Sequence, residues 1–436
     1  MNEKSRAQSG AKQVGSARAA RPARAGAPAA ARFTPEMKKT HTILVPDMLP
    51  IHFNLILSIF RQYGYNMELL QTSTRTVVDE GLQNVHNDTC YPALLVVGQF
   101  MEALKSGRYD VDRTALMITQ TGGGCRASNY IHLLRKALAE DFPQVPVISL
   151  NFSGLEKESS FPITAGMGVK LVFAVLYGDM LMLLYNQCRP YELKEGASDQ
   201  VLEKWQAFLA EEFGKNHFLS AGKTYKAMLR DFAAIPRSKT PKPKVGIVGE
   251  IYVKYSPLAN NHLEEFLLSE GCEPVVPGLL DFILYCAVNS VNDGIFYDAK
   301  NKKTFLFGLG YKYLYAKQRQ MISMIEKHGE FSPPHDFEHL RHNADKYIHQ
   351  GVKMGEGWLI TAEMAALAQS GTENIICTQP FGCLPNHIVA KGMSRVIKDA
   401  FPEANIVAID YDPGATKVNQ ENRIKLMLAQ IRKKGS

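Results

Sequence analysis

Three cysteines stand in sequence settings that suit a metal-binding thiol. Cys125 follows a glycine run in TQTGGGCRASNY, Cys383 follows a glycine in TQPFGCLPNH, and Cys90 lies in NDTCYPA. We expect each to lie at the start of a helix, where the N-terminal dipole lowers the pKa of a thiol; Thr89 or Asp88 would cap the helix after Cys90. Spacings of 35 and 258 residues exclude a zinc ribbon or a ferredoxin. The thiols can therefore meet only through tertiary structure.

Three convergent thiolates without a compact motif suit an iron–sulfur cluster, in which an iron that lacks a cysteine ligand can bind substrate. Buried core thiols are the alternative, since cysteine is among the most buried residue types. That interpretation is favoured for Cys188, Cys272 and Cys286. Cys377, inside the predicted strand NIICTQ, is either a fourth ligand or a core residue.

The other candidate groups are weaker. His335, His339 and His342 are predicted to share one helix face beside Glu338, which is compatible with a metal site. A solvated polar helix face is favoured, because Asp and Arg residues surround these histidines. Glu250, in VGEIYV, either faces a cleft or caps the next helix. The chain contains neither G-x-G-x-x-G nor a P-loop, so a dinucleotide has no recognisable phosphate site.

Charge and composition narrow the class of protein. The chain has 436 residues, of which 45% are apolar, and this is enough for two or three domains that each have a hydrophobic core. The net charge is +7. Met1–Arg32 holds seven basic residues and one acid, so +6 lies in this segment and the body is nearly neutral. We therefore expect neither a nucleic-acid partner nor an acidic-membrane partner.

The first 37 residues are predicted to be a disordered basic tail, with an organellar transit peptide as the alternative. Without an export signal, and with an odd number of cysteines, the chain is expected in the reducing cytoplasm. The apolar run Leu171–Leu184 contains Asp179 and is too short to span a bilayer, so a core helix is predicted.

Short apolar runs alternate with helical patterns, which predicts an α/β fold with doubly wound parallel sheets. An N-terminal α/β domain over 38–160, a helical segment over 161–236 and a C-terminal α/β domain over 237–436 are expected, with Trp205, Phe208 and Phe213 facing one core. Strands are predicted at Thr42–Val45, Asn66–Leu70, Leu94–Val97, Ala115–Thr119, Val145–Leu150, Val245–Val248, Glu273–Val276, Thr304–Phe307, Asn374–Thr378 and Ile406–Ile409.

Two passages suggest an internal duplication. Residues 103–125 and 366–383 both contain a helix end, a Ser-Gly cap, an apolar strand, Thr-Gln, and then a glycine and a cysteine. Cys125 and Cys383 would then occupy equivalent positions. The match is short, so chance similarity between two αβ turns is the alternative.

Several motifs in one order resemble the 2-hydroxyacyl-CoA dehydratase family, in particular the cluster-bearing C-terminal part of large CoA-dehydratase activases and their stand-alone relatives. The motifs lie between Thr40 and Leu428 and read CYPALLVVGQFMEALKSGRYD, MITQTGGGCRASNY, VGIVGEIYVKY, PFGCLPNHIVAKGM and IDYDPGATKVNQENRIKLML. The resemblance implies flavodoxin-like domains around an iron–sulfur cluster, either 4Fe-4S or double-cubane, with Cys90, Cys125 and Cys383 as ligands.

The resemblance also implies a partner and a reaction type. An ATP-dependent activator reductase would supply single electrons, and the substrate would be an acyl-CoA or another small molecule that undergoes radical or reductive chemistry. The chain would act as a dehydratase-like or reductase-like enzyme, as a homodimer or a heterodimer. A non-catalytic electron-transfer component of an activase system, or a cluster-free small-molecule binding module, are the alternatives.

Overall fold

The computed structural model describes residues 31–86, 88–120, 124–151, 161–298 and 302–434. Within them the chain is an α/β protein with two parallel four-stranded sheets, as predicted. The first sheet contains β1 (Thr42–Pro46), β2 (Asn66–Leu70), β3 (Thr114–Gln120) and β4 (Val147–Asn151), and the second contains β5 (Lys244–Gly249), β6 (Glu273–Val275), β7 (Asn374–Pro380) and β8 (Asn405–Tyr411).

Helices lie between the strands, and three long ones connect the sheets where a helical segment was expected. The chain up to β5 forms α1 (Met37–Thr40), α2 (Pro50–Gln62), α3 (Arg75–Asn84), α4 (Tyr91–Lys105), α5 (Tyr130–Asp141) and the connecting α6 (Ala165–Cys188), α7 (Ala197–Lys215) and α8 (Ala221–Ala233). The later helices are α9 (Ile251–Tyr255), α10 (Pro257–Asn260), α11 (Leu263–Ser269), α12 (Leu279–Phe296), α13 (Lys302–His328), α14 (Phe337–Tyr347), α15 (Gly357–Gln369), α16 (Lys391–Ala400) and α17 (Lys417–Lys434).

The two sheets have the same strand order, β2-β1-β3-β4 and β6-β5-β7-β8. The local geometry repeats as well: a glycine with positive φ precedes the second strand of each sheet (Gly64 and Gly271), and another precedes the third (Gly107 and Gly371). Glycine suits these turns because it has no β-carbon to disfavour that conformation. The two halves therefore share one topology, as the suggested duplication requires.

A buried polar contact joins the two halves. The Nε2 atom of His52 in α2 lies 2.7 Å from Asp179 Oδ1 in α6, with both side chains almost fully buried. Asp179 also accepts hydrogen bonds from the N–H groups of Leu279 and Leu280 at the start of α12. Because the three helices come from distant parts of the sequence, this carboxylate fixes their relative positions.

Two helices of the described chain are long and apolar enough to cross a membrane by length and composition alone, Ala165–Tyr191 and Leu279–Phe296. The protein buries 72% and 61% of their most apolar windows. That burial agrees with the core helix predicted over Leu171–Leu184.

Two predicted strands are wrong, because Leu94–Val97 lies within α4 and Thr304–Phe307 lies within α13. A short apolar run does not distinguish a strand from a buried helix. In α4, Pro92 stands in the first turn, where its fixed φ and missing N–H suit a helix start.

Two aromatic side chains differ from expectation. Phe208 is 43% exposed, whereas Trp205 and Phe213 are buried, although the Phe208 ring packs edge-on against Trp205 with 5.2 Å between the ring centroids. Phe33, inside the segment expected to be a tail, is buried, and its ring centroid lies 6.4 Å from that of Phe161. The packed chain therefore begins no later than Phe33, whereas residues 1–30 of the predicted tail lie outside the described residues.

Candidate functional site

Cys125 and Cys383 occupy equivalent positions at the reversal of strand order. In an open α/β sheet, ligands bind at the carboxyl ends of the strands on either side of this reversal. It lies between β1 and β3 in the first sheet and between β5 and β7 in the second. Cys125 follows β3 and Cys383 follows β7. Gly122 and Gly123, which precede Cys125 in the sequence, lie outside the described residues.

Cys90 reaches the same place from the first turn of α4. The Tyr91 N–H donates a hydrogen bond of 3.0 Å to the Phe381 carbonyl oxygen. A β-carbon on Gly382 would stand 3.1 Å from Cys90 Cα, and Gly382 has a φ of 71°. Only glycine suits both conditions, so the turn before Cys383 packs directly on the backbone of Cys90.

Tyr130 and the loop before α15 complete the surroundings of the thiols. The Tyr130 hydroxyl lies 3.0 Å from Cys90 Sγ, at hydrogen-bonding distance. Gly124 contacts the thioether of Met354, which brings the Cys125 loop against the second half of the chain. The structure thus brings the three predicted cysteines near one another, after β3, after β7 and at the start of α4.

Burial raises the pKa of all three thiols. The pKa of Cys125 rises to about 11, and those of Cys90 and Cys383, which are 5% and 7% exposed, also rise. The expected lowering by helix dipoles is wrong as a net effect, because loss of water around a charged sulfur outweighs it. The predicted caps Thr89 and Asp88 are also wrong: Cys90 itself is the N-cap residue, without a side-chain cap bond.

Two carboxyl groups lie near the thiols. Glu250 follows β5 and accepts a hydrogen bond from the Val253 N–H at 2.9 Å, and Glu356 accepts one from the Ile251 N–H at 3.0 Å. Burial, with the neighbouring charge of Glu356, raises the pKa of Glu250 to about 8, and burial raises that of Glu356. Glu250 can therefore hold a proton near neutral pH. Glu250 caps α9, as one of its two predicted roles requires, and its charge also acts on the three thiols.

The first sheet carries an acid at the position equivalent to Glu250. Asp47 follows β1 as Glu250 follows β5, and it is 7% exposed. Burial raises the pKa of Asp47 to about 7. Among the described residues Asp47 Oδ1 has no hydrogen-bond partner. Such a buried carboxyl group favours its neutral form.

The amide of Asn386 contacts the Cys383 sulfur at 3.2 Å. The amide can take two orientations. In the first, its nitrogen donates a hydrogen bond to the Thr378 carbonyl oxygen (3.2 Å) and its oxygen accepts one from the Glu250 N–H (3.1 Å). The amide oxygen then faces the Cys383 sulfur and can accept a hydrogen bond from a thiol. The reverse orientation directs an N–H to the sulfur, which suits a thiolate. Cys377 lies buried in β7, with its Sγ 3.7 Å from the same amide.

A single metal ion and an iron–sulfur cluster would make different demands on these thiols. No three His, Cys, Asp or Glu side chains in the described parts of the chain are arranged to hold one ion. A cuboidal cluster makes a different demand, because each iron takes its own thiolate and the ligands surround the cluster. Cys90, Cys125 and Cys383 come from three separate segments, as that arrangement needs. Bound iron would also supply the positive charge that stabilises buried thiolates.

The remaining candidates lie in ordinary structural settings. Cys188 and Cys272 are buried, and Cys286 is half-buried in α12. His339 makes a hydrogen bond with a glutamine side chain, and the Nδ1 atom of His342 lies within hydrogen-bonding distance of a backbone carbonyl of its own helix. His339 and His342 therefore agree with the polar helix face that was favoured, but the prediction is wrong for His335, which precedes the N-cap residue Asp336 and lies outside α14.

Large apolar side chains surround the cleft and remain exposed, although such residues are usually covered. Two lie on the loop before α15 and three lie beside Cys383. We refer to this set as the apolar rim, and its members are Val352, Met354, Phe381, Leu384 and Ile388.

Three residues of the site are not predicted from the sequence patterns. Tyr130 and Glu356 have no local motif that marks them, and they reach the cleft through tertiary structure. Asp47 had a usable signal, because VPDM at the end of β1 matches VGEI at the end of β5 in placing an acid two residues after a valine.

Comparison of the chain with family models, curated proteins and solved structures gives no match. The fold and the site by themselves define an α/β protein with two sheets of the same strand order and three free cysteines near one another.

Proposed function

We propose that this protein is an iron–sulfur redox protein of the 2-hydroxyacyl-CoA dehydratase type, with two flavodoxin-like units. The observation that carries the proposal is the convergence of Cys90, Cys125 and Cys383 at the strand-order reversals of the two sheets. Strand order 2-1-3-4 corresponds to the first four strands of the flavodoxin-like arrangement. The motifs that resemble this family contain the same three cysteines.

The surrounding residues have defined roles in this proposal. A bound cluster would supply single electrons at low potential. Tyr130 would hold a hydrogen bond to the sulfur of Cys90, and Asn386 would direct an N–H to Cys383, which tunes the basicity of both ligands. The carboxyl group of Glu250, whose pKa burial raises to about 8, would supply a proton to a reduced substrate beside the thiols, and Glu356 would be the neighbouring acid.

The apolar rim supports a protein partner for electron delivery, an ATP-dependent activator reductase. Exposed Phe381, Leu384 and Ile388 lie next to Cys383, so a reductase that covered them would approach the cluster closely. Cys125 is only half-buried, which leaves access for an acyl-CoA or another small molecule. That access favours an enzyme over a sealed electron relay.

Anaerobic iron and sulfide analysis of the reconstituted protein tests the cluster. We expect stoichiometric iron and sulfide with charge-transfer absorption that bleaches in air. Colourless, iron-free protein after reconstitution would overturn the proposal.

A spectral titration tests the electron source. The cluster should stay oxidised with NADH alone, because the chain has no dinucleotide phosphate motif. It should be reduced when activator, ATP and a strong donor are present together. Complete reduction by NADH without the activator would refute this part of the mechanism.

A further inference from the structure

The end of α12 and the first half of α13 expose an unusual number of large apolar side chains. The most exposed are Phe305 at 68% and Leu306 at 65%. We refer to the set as the hairpin patch, and its members are Ile295, Phe296, Tyr297, Phe305, Leu306, Leu309 and Tyr313.

The two halves of α13 differ sharply in burial. The helix has 27 residues, and Met321, Ile322 and Ile325 in its second half are buried in the protein core. In the first half, an added β-carbon on Gly310 would meet no atom within 4 Å, and one on Gly308 would meet only Val291 of α12. The first half thus packs on α12 along one side and presents apolar side chains elsewhere.

The exposed area matches what one subunit contributes to a stable dimer. Seven large side chains that are a little more than half exposed present up to about 800 Å², when each is given the roughly 200 Å² of an aromatic side chain. The largest patch on an ordinary monomer is about 300–600 Å². A standard protein interface buries about 800 Å² on each partner.

We infer that the hairpin patch is the interface of a homodimer in which α12 and α13 of one copy pack on the same helices of a second copy. A two-fold interface uses one patch twice, so this surface alone supplies the area for both partners. Its composition is that of an interface core, with Phe and Tyr prominent, and exposed Lys302 and Lys312 stand beside it as polar rim. The inference does not depend on the proposed cluster.

Sedimentation velocity of the full chain at micromolar concentration tests the dimer. The wild-type protein should sediment as a dimer of the 48.6 kDa chain. Phe305→Asp and Leu306→Asp should each give monomers with unchanged circular dichroism, because both side chains are exposed in one subunit. Leu426→Asp on α17, where the leucine is 69% exposed, is the matched control and should remain dimeric.

Two results would overturn the inference: a monomeric wild-type protein, or a dimer that persists in both hairpin variants. Flotation with anionic phospholipid vesicles tests the main alternative, which is that the hairpin patch binds a membrane surface and not a second copy of the chain. Vesicle binding by a monomeric wild-type chain that is lost in Leu306→Asp would assign the patch to a membrane surface instead. Iron content is measured in parallel, so failure of the dimer and failure of the proposed cluster are distinguishable.

Discussion

Each sheet carries the same pair of groups at the point where its strand order reverses. An acid follows the first strand in the sequence and a cysteine follows the third. In the second sheet the pair is closely held: Glu250 accepts a backbone hydrogen bond, and Cys383 is buried beside an amide. In the first sheet Asp47 Oδ1 has no partner among the described residues, and Cys125 is half-buried. A duplicated topology therefore places the groups, and local contacts give each copy its own chemistry.

The largest expected effect is loss of the cluster when its ligands are changed. Single replacement of Cys90, Cys125 or Cys383 by Ser should remove or degrade the cluster, because a hydroxyl is a poor ligand for iron. Cys188→Ser is the control and should keep its iron. Iron and sulfide analysis of the purified variants gives the answer. If Cys272→Ser lost iron while Cys125→Ser kept it, the ligand assignment would be wrong.

The next effect concerns the contact that joins the two halves. Asp179→Ala should lower the free energy of unfolding by about 3–5 kcal/mol, because it leaves buried His52 and two N–H groups without their partner. Arg395→Ala, at an exposed ion pair, should cost less than about 1 kcal/mol. Urea unfolding measures both changes. Equal costs would show that the buried contact does not hold the halves together.

The unpaired acid of the first sheet should make stability depend on pH. The pKa of Asp47 is about 7 in the folded chain and near 3.8 when the side chain is exposed. Between pH 3.8 and pH 7 the folded state therefore binds more protons than the unfolded state. The free energy of unfolding of the wild type consequently falls as the pH rises through this window. Asp47→Asn removes this loss, which amounts to about 2 kcal/mol between pH 5 and 7.

Urea unfolding of iron-free protein at several pH values checks this prediction for Asp47. Asp399→Asn, an exposed substitution, is the control and should retain the wild-type profile. Parallel profiles for wild type and Asp47→Asn would contradict the shifted pKa.

The smallest expected effect is the difference in stability loss between two glycine-to-alanine substitutions, one with backbone strain alone and one with strain and steric contact beside Cys90. Gly107 and Gly382 have nearly the same φ, 73° and 71°, but a β-carbon on Gly107 meets nothing within 4 Å. Gly107→Ala should cost about 1 kcal/mol of strain, and Gly382→Ala about 1–2 kcal/mol more because it also meets the Cys90 backbone. Thermal unfolding compares the two, and iron content should fall only in Gly382→Ala. Equal stability losses would remove the packing argument.

Local signals in the sequence determined much of this protein. Strand β2 was predicted with its observed ends, and each Ser-Gly cap before a cysteine-bearing strand was recognisable because a left-handed helix end favours glycine. The equivalence of Cys125 and Cys383 followed from these signals. The run Leu94–Val97 was misassigned because an apolar run has no period that separates a buried helix from a strand.

Only the tertiary structure decided what surrounds the thiols. Tyr130 and Glu356 reach the cleft through the packing of distant segments, so no spacing in the sequence marks them. The direction of the thiol pKa shifts was also decided there. A helix start is visible in the sequence, but the removal of water that outweighs its dipole depends on every segment that covers the sulfur.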